Sequence, residues 1–172
     1  LAVHDTLGER AKVSVTLNLS ACVAQSDSEA DRMAKHRNDL LSNEVFLGPM
    51  LDGAYDPEIF DVTTDYTDWS FIRDDDLKTI RQPVQCLGIN YYSSTHVKGV
   101  TDPTECERRR NDHMQAVPAQ DIVDALPPEG ELTDMGWNQE PRVLTEMLVG
   151  LAKRYPGLDL MVTENGLSLI HI

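Results

Sequence analysis

Residues 158–166, LDLMVTENG, form an apolar run that ends abruptly on a carboxylate. A short and nearly continuous hydrophobic segment is the pattern of a strand buried on both faces in a parallel sheet. Glu164 falls at the C-terminal end of this predicted strand, where catalytic side chains lie in barrels of parallel strands. Gly166 permits the chain to turn sharply away. Position alone, however, fits a solvated loop acid better than a catalytic residue.

The remainder of the chain alternates helical and extended patterns. Strands are predicted at 13–19, where apolar and polar residues alternate, and at 84–92, where the apolar run is nearly continuous. Helices are predicted over 1–12, after Ser28 and after Pro141. The apolar stripes of the last two helices are Met33, Ala34, Leu40, Leu41 and Val45, and Leu144, Met147, Leu148, Leu151 and Tyr155. This alternation predicts an α/β fold with a parallel sheet and crossover helices.

Polar residues mark where the predicted helices begin. Ser28 with Asp31 three residues on resembles a capping box, with Asp in place of the commoner Glu. Residues 74–76, Asp-Asp-Asp, fit no calcium-loop spacing and are predicted to cap a short helix that Pro83 ends. The long polar connection at 93–133 is predicted to be a loop, and loops of that length are usually functional or disordered.

The charge of the chain argues against several classes of partner. It has 15 basic and 29 acidic residues, a formal net charge of −14. Such a chain repels nucleic acid and anionic lipid, whereas a neutral or cationic small molecule is easier to accommodate. No apolar run approaches the roughly 18 residues that span a membrane. At 172 residues we expect one soluble, cytoplasmic domain without nucleic-acid or membrane partners.

The cysteines and histidines indicate neither a disulfide framework nor a metal site. Cys22, Cys86 and Cys106 are widely spaced and form no C-x-x-C pair, so we expect reduced thiols. The five histidines show no H-E-x-x-H or similar ligand spacing. We therefore expect no metal and no cofactor. The first residues lack the pattern of a signal peptide and start inside a helix, so we expect the true N-terminus to lie upstream.

Several segments occur in an order that matches one known family. They are LGINYY at 87–92, the W-x-x-x-P pattern at 137–141 and VTENG at 162–166, with VTLNLS at 15–20 and DWSFIRDDDL at 68–77 as weaker matches. Together these segments resemble the retaining β-glycosidases of glycoside hydrolase family 1. The resemblance implies a (β/α)8 barrel, of which this chain would hold about the fifth, sixth and seventh strands with their helices.

The resemblance covers residues 1–166, a partial barrel domain from the C-terminal half of the family's fold. Family members continue past T-E-N-G into an eighth strand with sugar-binding tryptophans. Residues 167–172, LSLIHI, instead look like a translated sequencing adaptor, and we expect them to be a non-native tail. The family's N-E-P motif with its acid/base Glu is expected to lie before Leu1.

The resemblance also implies roles at one site. Glu164 would be the nucleophile, and Tyr92, the second Tyr of N-Y-Y, would donate a hydrogen bond that keeps this carboxylate ionised and aimed. Asn90 would lie close enough to reach the sugar. Trp137 would be the aromatic platform for the leaving group, with a core tryptophan under the following helix as the alternative. Tyr91 would face the opposite side and pack structurally.

Four other ring side chains are placed outside this site. Trp69 and Phe71 are assigned to packing. His96 and His113 fall in the long polar connection, which would cross the mouth of the barrel. A solvated loop position explains both histidines better than contact with the leaving group does.

The function implied is that of a retaining β-glycosidase, most simply a β-glucosidase acting on β-D-glucosides or cello-oligosaccharides. Its mechanism would be a double displacement by two carboxyl groups about 5 to 5.5 Å apart. The alternatives are a 6-phospho-β-glycosidase or β-galactosidase of the same family, or a non-catalytic barrel fragment. The expected partner is a small-molecule glycoside, and the chain by itself is expected to be inactive.

Overall fold

The computed structural model describes residues 2–8, 11–104, 107 and 117–166. Their six strands form two three-stranded sheets, with orders β1-β3-β6 and β2-β4-β5. The strands are β1 Ser14–Leu17, β2 Ala21–Ala24, β3 Cys86–Asn90, β4 Ser94–Gly99, β5 Val123–Ala125 and β6 Asp159–Glu164. The helices are α1 Ala2–Leu7, α2 Glu29–Asp39, α3 Val45–Leu47, α4 Pro57–Thr63, α5 Asp76–Ile80 and α6 Pro141–Arg154. Two π-helical turns, Leu40–Glu44 and Gly48–Asp52, flank α3.

The first sheet, β1-β3-β6, is parallel throughout. Each of its strands was predicted, and a helix lies between successive strands. The predicted α/β class with a parallel sheet is therefore confirmed. The predicted helix over 1–12 is also confirmed in part, because Ala2–Leu7 is helical.

The second sheet was not predicted. β4 pairs with β2 in parallel and with β5 in antiparallel, and both β4 and β5 fall in the stretch at 93–133 that was expected to be a loop. These strands are short, and the buried residues of β4 are Ser94, Val97 and Gly99. Two of these three are not apolar, so the strand carries no alternating hydrophobic signal.

The expected burial of β6 is wrong for this chain. Of the described strands, β3 alone pairs with β6, which therefore lies at the margin of the first sheet. Met161 is 55% exposed and Val162 38% exposed. A continuous apolar run predicts a strand with both faces covered, but no described element covers most of β6.

Two apolar clusters hold the sheets to their helices. The first consists of Leu19, Leu47, Leu87, Ile89 and Leu151, and the second of Cys22, Ala34, Val97, Val117, Val123 and Ala125. Met147 and Leu148 of α6, and Tyr155 directly after it, pack against the first cluster, so most of the predicted apolar face is confirmed. In α2, Ala34 is fully buried but Met33 is 53% exposed. One residue along a helix is a rotation of about 100°, which takes Met33 off the buried face.

The start of α2 differs from a complete capping box. The Ser28 hydroxyl accepts the Asp31 N–H at 3.2 Å, as predicted. The Asp31 carboxylate instead accepts the Ser26 hydroxyl at 2.5 Å and the Gly99 N–H at 2.9 Å. The bond to Gly99 connects α2 to β4. The Asp31 carboxylate therefore stabilises a tertiary contact and does not accept the Ser28 N–H, as it would in a complete capping box.

The short helix predicted at the acidic triplet is confirmed as α5, and the Asp76 carboxylate accepts the Arg73 N–H at 2.9 Å. The predicted capping is wrong, because Asp75, the residue before α5, makes no side-chain capping hydrogen bond and accepts from Lys78 instead, at 2.7 Å.

Trp69 packs against the rings of Tyr55, Phe60 and Phe71, with centroids 5.7, 5.2 and 5.5 Å away, which confirms its packing role. Phe71 makes this one ring contact but is 65% exposed, so it packs only in part. The Trp69 indole also donates to the Thr63 hydroxyl at 2.7 Å.

Cys22 and Cys86 are free thiols. Burial, and then the charge of Asp39, raise the pKa of the Cys22 thiol to about 12, so this buried thiol stays protonated. Cys106, His113 and residues 167–172 lie outside the described residues. Within the described ranges, no helix is long and apolar enough to cross a membrane. The same part of the chain contains no group of three His, Cys, Asp or Glu side chains that could hold a metal ion.

Candidate active site

The C-terminal ends of β3 and β6 meet at one edge of the first sheet. Ile89 pairs with Val162, but the next pair is Asn90 with Glu164, so the register shifts by one residue. The Tyr91 N–H then donates to the Glu164 carbonyl at 2.9 Å, and the Asn165 amide donates to the Tyr91 carbonyl at 2.8 Å. The backbone therefore brings Glu164 beside the N-Y-Y segment.

The Tyr92 hydroxyl donates a hydrogen bond to Oε2 of Glu164 at 2.5 Å. This bond, some desolvation and the nearby negative charge raise the pKa of the Tyr92 phenol above its usual value. Because ionising the phenol would place two negative charges side by side, Tyr92 stays protonated and donates. The carboxylate is thus held in one orientation by a neutral donor.

Asn90 lies at the same strand edge. Its Oδ1 is 2.9 Å from the Thr163 hydroxyl, which donates to it. Thr163 is the residue that the register shift leaves without a pairing partner in β3. The shift therefore orients the Asn90 side chain as well as Glu164.

Trp137 packs against Tyr92, with ring centroids 5.4 Å apart and an angle of 53° between the planes. The Trp137 side chain is half-buried. Both rings line an open groove of about 510 Å³, together with Asn18, Asn38, Asn90 and Thr95. Amide and hydroxyl groups beside an aromatic face suit a polar ligand with apolar C–H faces, such as a sugar. The structure thus brings together all four residues that were predicted for the site.

The predicted facing of Tyr91 is confirmed. Tyr91 is only 5% exposed, whereas its neighbour Tyr92 is 38% exposed. The Tyr91 hydroxyl donates to the Glu140 carbonyl at 2.9 Å. Successive residues of an extended segment face opposite sides, so one Tyr packs inside and the other reaches Glu164.

A polar cluster beside the site was missed by the sequence analysis. We refer to it as the Glu140 cluster, which consists of Tyr91, Ser94, His96, Asn138 and Glu140. Oε2 of Glu140 accepts the Ser94 hydroxyl, His96 Nε2 at 2.7 Å and Asn138 Nδ2 at 3.0 Å. The prediction of a solvated loop position for His96 is therefore wrong, because His96 lies in β4 and contacts a carboxylate.

The environment of Glu140 keeps it ionised. Desolvation acts to raise the pKa of this carboxyl, but the hydrogen bonds from Ser94 and His96 and the charge of His96 outweigh it and lower the pKa. Asn138 is 1% exposed and its amide is fully engaged, since it accepts the Ser94 N–H at 3.1 Å and donates to the Ser94 hydroxyl at 2.9 Å. Asn138 and Glu140 belong to the W-x-x-x-P segment. Their place in that motif is the one sequence feature that could have indicated a role near the site.

Comparisons with known proteins agree with this geometry. The sequence profile of Glycosyl hydrolase family 1 matches residues 2–171. The chain is 43% identical to a bifunctional β-D-glucosidase/β-D-fucosidase of Bifidobacterium breve over 97% of this chain and 34% of that protein. It is 30% identical to thermostable β-glucosidase B of Thermobispora bispora over 90% of this chain and 30% of that protein.

A similar solved structure is a β-glucosidase from Exiguobacterium marinum, with a TM-score of 0.79 and 26% identity over 96% of this chain and 34% of that one. The chain spans about a third of the length of these relatives. The family match covers nearly the whole chain and agrees with the relatives in sequence and in structure. This chain therefore belongs to glycosyl hydrolase family 1.

Proposed function

We propose that this chain is part of a retaining β-glycosidase of the β-glucosidase type, with Glu164 as its nucleophile. The observation that carries the proposal is the hydrogen bond from Tyr92 to Glu164 at the C-terminal edge of a parallel sheet. A nucleophilic carboxylate must be aimed at the carbon that it attacks, and a neutral phenol that donates to one of its oxygens orients it. The relatives' names support β-glucosides as the substrate class.

In the proposed reaction, an oxygen of Glu164 attacks the anomeric carbon as the bond from that carbon to the leaving oxygen breaks. A second carboxyl group protonates the leaving oxygen. Water then attacks the anomeric carbon, gives its proton to the second carboxylate and releases Glu164. The net reaction adds one water across the glycosidic bond with retained configuration.

The other site residues have supporting roles in this proposal. Tyr92 holds the attacking carboxylate, and Asn90 contacts the sugar on the same side. Trp137 offers a flat aromatic face to the leaving group, since sugar rings present apolar C–H surfaces. The second carboxyl group in this proposal is the acid/base Glu of the N-E-P motif that the resemblance implies, and residues 1–172 do not contain that motif.

We also propose that β1, β3 and β6 correspond to the fifth, sixth and seventh strands of a (β/α)8 barrel. Their parallel order and the helices between them fit three consecutive units of that fold. The elements that cover the exposed faces of β6 would then be the remaining units of the barrel.

The test is substitution of Glu164 in the full-length enzyme. Glu164→Gln, which changes the charge and not the volume, is expected to abolish hydrolysis of an aryl β-D-glucoside while thermal unfolding stays unchanged. Glu164→Gly is expected to regain turnover when azide is added, and the product should be the α-glucosyl azide, because azide enters from the face that the carboxylate occupied. Glu129→Gln, at an exposed glutamate outside the site, is the matched control. Activity of Glu164→Gln within a few-fold of wild type would refute the assignment.

A further inference from the structure

The turn that carries Tyr92 is held at both ends by the loop that precedes α6. At one end, the Tyr91 hydroxyl donates to the Glu140 carbonyl at 2.9 Å. At the other, the Ser94 N–H donates to Asn138 Oδ1 at 3.1 Å. Tyr92 lies between these two anchors, so its position depends on contacts that its own side chain does not make.

The carboxylate of Glu140 joins the two anchors. Its Oε2 accepts hydrogen bonds from Ser94, His96 and Asn138. A carboxylate can only accept, so each of these side chains must present a donor to it. The Ser94 hydroxyl donates its one hydrogen bond to Glu140. It also accepts a hydrogen bond from the Asn138 side-chain amide at 2.9 Å. Each donor in this cluster therefore faces an acceptor. A fully satisfied hydrogen-bond network of this kind is rigid.

Glu140 does not serve the helix that it precedes. An acid at the start of a helix ordinarily interacts with the first free N–H groups. Glu140 occupies the residue before α6, but its side chain makes no capping hydrogen bond. The carboxylate instead contacts β4 and its own loop. Its contacts therefore serve the turn at 91–94 and the loop that carries Trp137.

The same loop is anchored independently on its other side. The Thr133 N–H donates to the Trp137 carbonyl at 2.8 Å, and the Gln139 N–H donates to the Glu131 carbonyl at 3.0 Å. These bonds form a short antiparallel turn that closes at the pair Leu132 and Asn138. The loop at 131–140 is therefore held in place by its own backbone hydrogen bonds. The Glu140 cluster connects this loop to the turn that carries Tyr92.

We infer that Glu140 is a positioning residue for Tyr92, because its carboxylate and its carbonyl together fix both ends of the turn that brings the Tyr92 hydroxyl to Glu164. This inference rests on the proposed function of Glu164 and Tyr92. Glu140 acts through Tyr92 and touches no reacting atom. Glu140→Gln removes the charge that the three donors face, and an amide presents its own N–H₂ to groups that also donate.

The test is a double-mutant cycle in the full-length enzyme, with kcat and KM measured for an aryl β-D-glucoside. In the wild-type background, Glu140→Gln is expected to lower kcat about tenfold with little change in KM, because it disturbs the donor to the nucleophile. In the Tyr92→Phe background it is expected to lower kcat by less than about twofold, because the contact it supports is already absent. Glu146→Gln, at an exposed position of α6 that pairs with Arg142, is the control and should leave both backgrounds unchanged.

A second readout does not depend on activity. With tyrosine labelled by ¹³C at Cζ, the resonance that disappears in Tyr92→Phe identifies Tyr92, and its titration gives the phenol pKa. Glu140→Gln is expected to lower that pKa towards its ordinary value, since Tyr92 would no longer be held against Glu164. If Glu140→Gln does not fold, Ser94→Ala removes one donor from the same carboxylate and should show the same two effects in reduced form.

The outcomes separate this inference from the proposed function. An equal loss of kcat in both backgrounds, or no loss in the wild-type background, would overturn the positioning role. If the unmodified enzyme hydrolyses no β-glycoside, the proposed function fails, and the titration alone then decides the role of Glu140. A Tyr92 pKa unchanged by Glu140→Gln would overturn that role in either case.

Discussion

The Tyr92 hydroxyl lies 2.5 Å from the Glu164 carboxylate, although 72 positions separate the two residues in the chain. Parallel pairing of β3 with β6 brings them to one edge, and the register shift after Ile89 aligns Glu164 with Asn90. This contact requires the C-terminal ends of β3 and β6 to lie side by side at the same edge of the sheet. The geometry at this edge is therefore a direct consequence of strand register.

Removal of the Tyr92 hydroxyl should affect rate and not stability. Tyr92→Phe in the full-length enzyme is expected to lower kcat about tenfold or more, because the carboxylate loses a donor that is aimed at it. The melting temperature should stay nearly unchanged, since the side chain is partly exposed. Steady-state kinetics and calorimetry on one preparation measure both quantities.

Tyr91→Phe should show the opposite pattern. This hydroxyl is buried and donates to the Glu140 carbonyl, so its loss is expected to cost about 1 kcal/mol of unfolding free energy. Its effect on kcat should be smaller than that of Tyr92→Phe. If Tyr91→Phe lowers the rate more, Tyr92 is not the donor on which the reactivity of Glu164 depends.

A matched pair of glycine substitutions tests the packing of the first sheet. A Cβ at Gly88 would lie 2.4 Å from the Thr16 hydroxyl oxygen and 2.9 Å from the Thr163 methyl carbon. Gly88→Ala is therefore expected to destabilise the fold by about 1 to 3 kcal/mol through overpacking. A Cβ at Gly150, inside α6, meets nothing within 4 Å.

Gly150→Ala is consequently expected to stabilise the protein by about 0.5 to 1 kcal/mol, because Ala favours a helix interior over Gly. Denaturant unfolding of both variants gives the two free energies. Equal effects of the same sign at both positions would contradict the close approach of β3 to its neighbours.

The lowered pKa of Glu140 predicts a pH dependence of stability. A carboxyl with a lower pKa in the folded state than in the unfolded chain stabilises the fold above the unfolded value, which for Glu140 is 4.5. It loses that contribution as the pH falls through the folded pKa. The difference in melting temperature between wild type and Glu140→Gln should thus be constant above about pH 6 and shrink as the pH falls below 4.5.

Glu146→Gln controls for the general loss of one negative charge on α6. Calorimetry of the three proteins between about pH 3 and pH 7 supplies the comparison. A difference that grows on acidification would show that Glu140 is bound to its proton more tightly when folded, contrary to its hydrogen bonds.

Residues 1–166 expressed alone are expected to be inactive and to fold poorly. Within the described ranges, β1 and β6 each pair with one neighbour, and unpaired strand edges favour aggregation. Activity should fail independently of folding, because one carboxylate cannot serve as both nucleophile and proton donor. Aryl β-glucoside hydrolysis, near-UV circular dichroism and sedimentation measure the two properties.

A monomer that turns over substrate would contradict the two-carboxylate mechanism as well as the folding prediction. A soluble but inactive monomer would contradict the folding prediction alone. Expressing residues 1–172 in parallel separates the effect of the tail at 167–172 from that of the strand edges.

Much of the first sheet and of the candidate site could be predicted from the sequence. The strands that end at Asn90 and Glu164 have apolar runs that stop on polar residues, and the stop marks the strand end. Tyr91 and Tyr92 could be assigned to opposite faces because side chains alternate along an extended chain. These features are local, so the order of residues along the chain is enough to reveal them.

The second sheet, the exposure of β6 and the Glu140 cluster depended on the tertiary structure. β5 has three residues, and β4 buries a serine and a glycine, so neither strand carries a hydrophobic period. Two of the three side-chain donors to Glu140, Ser94 and His96, lie more than forty positions away in the chain. A buried polar side chain needs a hydrogen-bond partner, and the tertiary structure determines which residues are near enough to be that partner. For Glu140 the pairing of distant strands, and not the adjacent sequence, decides most of its partners.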